Sequence, residues 1–240
     1  MPGVQLEEKG QASNRPKLPG PNALVLKFVR ICLVYVLPML NAEVYGPAAK
    51  RWSQSYMDFP PGETDHEIVV CLNGGNGHGP YQKKLFEPLP VTFFEHNNWG
   101  KDIGAFQMAA EQIPCDLLVC MGSFVHFHQA GWLDRMVHAF EDNGPTVYGA
   151  WGFHLPSPHL RTTAFWMPPD LLNAYPTQIG DRDRYGFEHG GNSLTLWSQR
   201  MGFEPLMVTW NGVFDMPQWH HVDGAESLIL DQHCDRAGIK

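Results

Sequence analysis

Val125-His126-Phe127-His128 sets two imidazoles two residues apart, just after an apolar run. On a strand both would share one face, which is how some metal-dependent hydrolases present two ligands to a first-row ion. His154, His159, His220, His221 and Asp223 are available to complete such a site, and His126, His128 and His221 are its candidate ligands. The plainer alternative is a set of solvated or hydrogen-bonded loop histidines. Hydrolases of this kind usually rest on a closed barrel of about 250 residues, which the chain beyond Pro60 is too short to supply. The five cysteines, Cys32, Cys71, Cys115, Cys120 and Cys234, include no Cys-x-x-Cys pair, and four lie in or beside apolar runs. They read as buried thiols in a reducing, cytoplasmic setting.

The 240 residues are 43% apolar and 18% charged, ample for a buried core. Seventeen basic against 25 acidic side chains leave a formal charge of -8, so no broad cationic surface exists to neutralise a phosphate backbone. Nucleic acid is thereby excluded as the expected partner.

Residues 1–22 are polar and proline-rich and read as a mobile tail. Ala23–Leu40 is the most apolar stretch, but Lys27, Arg30 and Pro38 interrupt its 18 residues, and a spanning helix needs about 20. It predicts a helix packed on the domain or lying at a membrane surface, with residues 23–60 as a helical extension and 61–240 as the main domain. His66–Leu72, Val91–Glu95, Cys115–Met121 and Thr146–Ala150 read as strands, with helices over Lys101–Ile113 and about Gly131–Asp142. Further on, Arg161–Met167 and Leu206–Trp210 read as strands and Phe187–Met201 as one helix. That order predicts an α/β fold with a mostly parallel sheet and helices on both faces. Ligands of such sheets bind beyond the carboxyl ends of the strands, which selects Asn73, Glu95, Asn98, Asp102 and Ser123 as neighbours.

The run Asn98-Trp99-Gly100-Lys101-Asp102-Ile103-Gly104-Ala105-Phe106 resembles glycosyltransferases of the GT-A, nucleotide-diphospho-sugar transferase type, and within them the rhamnan-synthesis-like members. Supporting segments run from Ser55-Tyr56-Met57-Asp58 through Gly131-Trp132-Leu133 to Phe187-Glu188-His189-Gly190, or roughly residues 50–215. The resemblance implies a nucleotide-sugar donor and a hydroxyl acceptor, such as a growing surface glycan. It implies Asn73 and Gly74 near the base or ribose, Glu95 near the base, and Asp102 beside the ribose or diphosphate. Asp102 also fits a helix-capping role, and Gly100 and Gly104 fit turns and packing.

Many GT-A enzymes hold a divalent ion, Mn²⁺ or Mg²⁺, with an Asp-x-Asp after the third strand. Here that position reads Gly122-Ser123-Phe124-Val125-His126, so the ion has no paired carboxylates. Charge developing on a leaving diphosphate then needs fixed donors. Arg161 is the favoured candidate, beside the imidazoles of His126, His128, His220 and His221. The resemblance puts Glu188 where an acid opens a helix below the acceptor and takes its hydroxyl proton, in a partly apolar surround supplied by Phe187 and Trp197. Tyr185, Trp166 and His189 are the candidate acceptor contacts, with Trp151 and Trp210 as further stacking surfaces. A GT-A-shaped module that binds without turnover is the third alternative, beside transferase and hydrolase.

Overall fold

The structure, a computed structural model, describes residues 29–75 and 79–238. The expected tail and the first part of the Ala23–Leu40 segment lie outside them. An eight-stranded sheet organises the chain. Its strands are β1 (Ile31–Pro38), β2 (His66–Asn73), β3 (Val91–His96), β4 (Leu117–Met121), β5 (Tyr148–Gly149), β8 (Ala164–Met167), β9 (Leu206–Val208) and β10 (Val213–Phe214). They lie in the order β10-β9-β5-β8-β4-β1-β2-β3, while β6 (Gly152–Phe153) and β7 (His159–Leu160) form a separate hairpin. The pairs β1–β2, β2–β3, β1–β4 and β5–β9 are parallel, and β8 runs antiparallel between β4 and β5. The helices are α1 (Ala42–Asp58), α2 (Pro80–Leu85), α3 (Lys101–Gln112), α4 (Trp132–Asn143), α5 (Pro169–Asn173), α6 (Arg184–His189), α7 (Leu194–Arg200) and α8 (Gln232–Ala237).

Side chains alternate across the sheet and build a core on each face. Leu33, Tyr35, Leu37, Val70, Leu72, Val119 and Met121 pack on one side against Trp52 of α1 and Leu133 and Met136 of α4. Val34, Val36, Cys71, Leu118 and Cys120 pack on the other against Ile103 and Phe106 of α3 and Leu171 of α5. All five thiols are free, four of them buried, and burial pushes the Cys234 thiol up to about 11.

The helix expected over Ala23–Leu40 is instead β1 across Ile31–Pro38, and it pairs with both β2 and β4. Seven of its eight residues are buried, so it has no face to offer a lipid surface. A central parallel strand is covered on both faces and reads as a continuous apolar run, which periodicity alone cannot separate from a buried helix. The helical part of the expected extension is α1, started by the Asn41 side chain accepting from the Val44 N–H at 3.3 Å. Among the described residues, no helix is long and apolar enough to cross a membrane.

The single helix expected over Phe187–Met201 is two. α6 ends at Gly190, and Ser193 restarts the chain by accepting from the Leu196 N–H. β8 starts three residues later than the expected Arg161, which frees Arg161–Thr163 to run along the edge of the sheet.

Replacing Leu33 by Ala is expected to cost about 2–5 kcal/mol of folding stability, the range for a truncated core leucine, read as a lower urea midpoint. A loss under about 0.5 kcal/mol, as at an exposed position, would return this segment to the surface.

Candidate functional site

The carboxyl ends of β1, β2, β3 and β4 all open on one edge, and the antiparallel β8 begins there too, with Ala164 opposite Met121. Chain order reverses at β1, because β2 lies on one side of it and β4 on the other. A crevice forms where the two connections part company. It is a cleft of about 540 Å³, lined among others by Asn73, Asn98, Lys101, Asp102, Ser123, Arg161, Arg184, Glu188 and Asp231.

The floor is held by backbone-directed bonds. Ser123 Oγ donates to the Val36 carbonyl at 3.0 Å, and the Ser123 carbonyl accepts from the Tyr35 hydroxyl at 2.7 Å. Asn73 Oδ1 lies 2.7 Å from Nδ1 of the buried His96. Tyr45 and Phe124 meet at 5.5 Å between ring centroids and give the cleft an aromatic wall.

Where the chain enters α3 the backbone is left-handed at Asn98 (φ 68°), Gly100 (φ 70°) and Lys101 (φ 57°). Two of these are not glycine, and such strain tends to collect at functional sites. At Gly100 a Cβ would stand 1.9 Å from the Ile179 carbonyl oxygen, so only glycine lets the 179–184 segment close on α3. That segment is then fastened by charge. Arg184 grips Asp102 through Nε (2.7 Å) and Nη2 (2.9 Å), and Lys101 Nζ sits 3.1 Å from Asp181, which also accepts from the Gly100 N–H. Burial raises the Asp102 carboxyl, with the Arg184 guanidinium pulling it down.

On the opposite wall, Arg161 Nη2 lies 2.8 Å from Asp231 Oδ2, with side chains 13% and 3% exposed. The contact is an ion pair without hydrogen-bond alignment, since Oδ2 makes no hydrogen bond. The other Asp231 oxygen caps α8 by accepting from the His233 and Cys234 N–H groups. A bridge between His126 and Leu230 brings this distant segment to the cleft. Glu188 Oε2 accepts from the Thr162 N–H at 3.0 Å and from the Thr162 hydroxyl, while Oε1 is 3.0 Å from His189 Nε2.

No protein-family profile and no curated protein matches this sequence. Among solved structures, the mannosyltransferase PcManGT from Pyrobaculum calidifontis, in complex with GDP-Man and Mn²⁺, superposes at a TM-score of 0.54. Identity is 14%, over 75% of this chain and 55% of that one. The chain has a GT-A-type fold. It spans about half the length of that mannosyltransferase. A protein from Desulfovibrio desulfuricans G20 assigned as a nucleotide-diphospho-sugar transferase superposes at 0.47, with 14% identity over 74% of this chain and 78% of its own, too weakly to add to the argument.

The metal that accompanies many GT-A proteins does not fit the strand-end position here. Ser123 stands there with its hydroxyl spent on Val36, and the carboxylates beside it are neutralised, Asp102 by Arg184 and Asp231 by Arg161. No step is therefore routed through such an ion.

Of the sequence-predicted residues, the cleft collects Asn73, Asn98, Asp102, Ser123, Arg161 and Glu188. Gly74 lies just outside its lining, where an added Cβ would meet the Asn98 Cβ at 3.1 Å. Glu95 is not gathered in: it is exposed on the edge strand β3 and is not among the residues lining the cleft. Trp166 is a correction, since it is fully buried and stacked on Tyr148 at 5.8 Å, as a core residue rather than an acceptor contact. Tyr185 is 66% exposed at the rim, its ring 4.7 Å from that of His189. Trp151 stacks on Phe153 and Trp210 meets His128, so the expected platform is dispersed.

The metal set His126, His128 and His221 does not assemble. Buried His126 meets Arg51 and Asp235, His128 Nε2 lies 2.7 Å from the Ser227 carbonyl, and His221 is exposed against His220. Phe187 and Trp197 both turn into the core around Tyr175, leaving the Glu188 carboxylate among polar groups instead of the apolar surround expected for it. Lys101, Arg184, Asp231, Tyr45 and Phe124 were not singled out from sequence. The alternating charges of Asp181-Arg182-Asp183-Arg184 were a signal for Arg184, whereas nothing local marks Asp231.

Asp231→Asn is expected to cost about 3–5 kcal/mol, because it strands a buried guanidinium. Asp102→Asn should cost about 1 kcal/mol or less, since Arg184 is 44% exposed. Chemical denaturation of the two variants checks this order. Burial also lowers the pKa of His96, His126 and His159. Below about pH 6.5 the unfolded rings take up protons that the folded ones refuse, so stability falls as pH drops from 7 to 5. Urea midpoints at the two pH values measure it, and an unchanged midpoint contradicts three neutral buried rings.

Proposed function

We propose that the protein is a glycosyltransferase that moves a sugar from a nucleotide-diphospho-sugar to a hydroxyl on a growing surface glycan or a related acceptor. The observation that carries this is the single cleft at the switch point of a GT-A-type sheet, where amides, guanidinium groups and a carboxylate converge. Asn73 and Asn98, with the Tyr45–Phe124 wall, suit a nucleoside. Lys101, Arg184 and Arg161 suit a diphosphate, which would compete with Asp181, Asp102 and Asp231 for them. Fixed cations of this kind stabilise charge on a leaving group without a metal.

Glu188 is the base in this reading. The acceptor oxygen attacks the anomeric carbon, the bond to the diphosphate breaks and its electron pair leaves with the phosphate, and the acceptor proton passes to Glu188. A single displacement of this kind inverts the anomeric centre. Thr162 and His189 orient the carboxylate for it.

A GT-A-type binding module without turnover is the second reading, favoured by the way each cation in the cleft is already matched by a carboxylate. Thermal denaturation with UDP, GDP, CDP and dTDP, with and without Mn²⁺, separates ligand classes. At a hundredfold excess over Kd the matching nucleotide should add about 2.7 kcal/mol, or roughly 5–10 °C. Glu188→Gln should keep that shift and lose about 10²–10⁴ in transfer. Intact transfer in this variant would refute the base, and a nucleotide shift without any product in the wild type would favour the binding module.

A further inference from the structure

His159, Glu188 and His189 each bring one metal-ligating atom within 4.8 Å of the other two. Of the three, only Glu188 lines the cleft, so the group stands behind its wall. We infer that this triad binds one first-row transition-metal ion of the Zn²⁺ class, at a place distinct from the strand-end Asp-x-Asp position. Two imidazoles and one carboxylate suit Zn²⁺, Co²⁺ or Ni²⁺ and not Mg²⁺ or Ca²⁺, which prefer oxygen alone.

The surroundings fix the ligands as metal sites do. His159 is buried on β7 with Nδ1 2.7 Å from the Ser157 carbonyl, which puts the proton on Nδ1 and the lone pair on Nε2. A backbone carbonyl on the far nitrogen is the usual support of a ligating imidazole. Glu188 has Oε2 held by Thr162, which leaves Oε1 to turn toward His189. The His189 backbone is tied to the same turn, because its carbonyl accepts from Ser157 Oγ at 2.5 Å.

One of the three pairs is at ligand spacing as it stands, and the ligand atoms all lie within 4.8 Å of one another, so closing on an ion draws His159 inward. A tetrahedral ion with bonds near 2.0–2.1 Å wants its ligand atoms about 3.3 Å apart. Glu188 Oε1 and His189 Nε2 are at 3.0 Å already, and the rings of His159 and His189 meet edge to face at 4.2 Å. Arg161 is matched by Asp231, which leaves the Glu188 charge for the ion. Water from the cleft side supplies the fourth position.

An ion on Oε1 removes the base assigned above, so the loaded form is the resting one. This consequence rests on the transfer reading, and the site itself does not.

The test is a Co²⁺ titration of the full chain after chelator treatment. One equivalent is expected, with visible absorption of a four-coordinate ion that Zn²⁺ abolishes. His159→Gln and His189→Gln should each weaken uptake at least about tenfold. His159 is buried, so if its variant does not fold, the partly exposed His189→Gln carries the comparison. No saturable uptake by the wild type, or equal uptake by folded His189→Gln, overturns the site. Nucleotide-induced thermal shifts in the same samples report the transfer reading separately: a chain that takes Co²⁺ but ignores every nucleoside diphosphate keeps the metal site and loses the donor.

Discussion

Everything at the working edge of this protein depends on β1 lying between β2 and β4, hydrogen-bonded along both sides and buried on both faces. Each fully buried aliphatic side chain of such a strand contributes roughly 1.5–3 kcal/mol, so the strand anchors both cores. Its position makes the chain leave toward α1 on one face and return through α3 on the other. The gap between those two connections is the cleft. Moving β1 to a sheet edge would close the gap and separate Asn73 from Ser123, which stand at the ends of its two neighbours.

Around the gap, segments far apart in sequence are fastened by charge as well as by buried anchors, Ile179 on one side and Leu228–Leu230 on the other. Arg184 on Asp102 and Lys101 on Asp181 draw the 179–184 segment over the start of α3, and Arg161 on Asp231 brings the start of α8 to the opposite wall. Pairs of this kind contribute little net stability, because desolvating the ions offsets their attraction. Their value is geometric. They hold cations ready at a site where an anionic ligand can exchange for the carboxylates, and the left-handed residues at Asn98 and Lys101 are tolerated because those contacts over-determine them.

The β7 turn and the start of α6 join in a different way. Ser157, His159, Thr162, Glu188 and His189 form a polar knot in which nearly every group has a partner, Nδ1 of the His189 ring being the exception. The knot touches the cleft through Glu188 alone, so proton acceptance and ion binding share one carboxylate.

Local pattern was enough to place β2, β3, β4, α3 and α4, because the strands are short apolar runs bounded by turn residues and the helices carry a 3.6-residue period. With the strand-end rule it also brought Asn73, Asn98, Asp102 and Ser123 together. It misassigned Ile31–Pro38, since a strand covered on both faces leaves no periodicity to read, and it took Trp166 for a ligand contact when its ring belongs to the core. Glu95 lies outside the lining on the edge strand, a position that strand order alone decides. The partner of Arg161 was out of reach for a related reason: Asp231 is 70 positions away and arrives through isolated bridges at His126 and Thr209. Sequence determined which segments bury which faces, because burial pattern is local. Only the tertiary structure decided which charges meet and which histidine faces which, because those distances are set by strand order and loop closure between segments that carry no local record of one another.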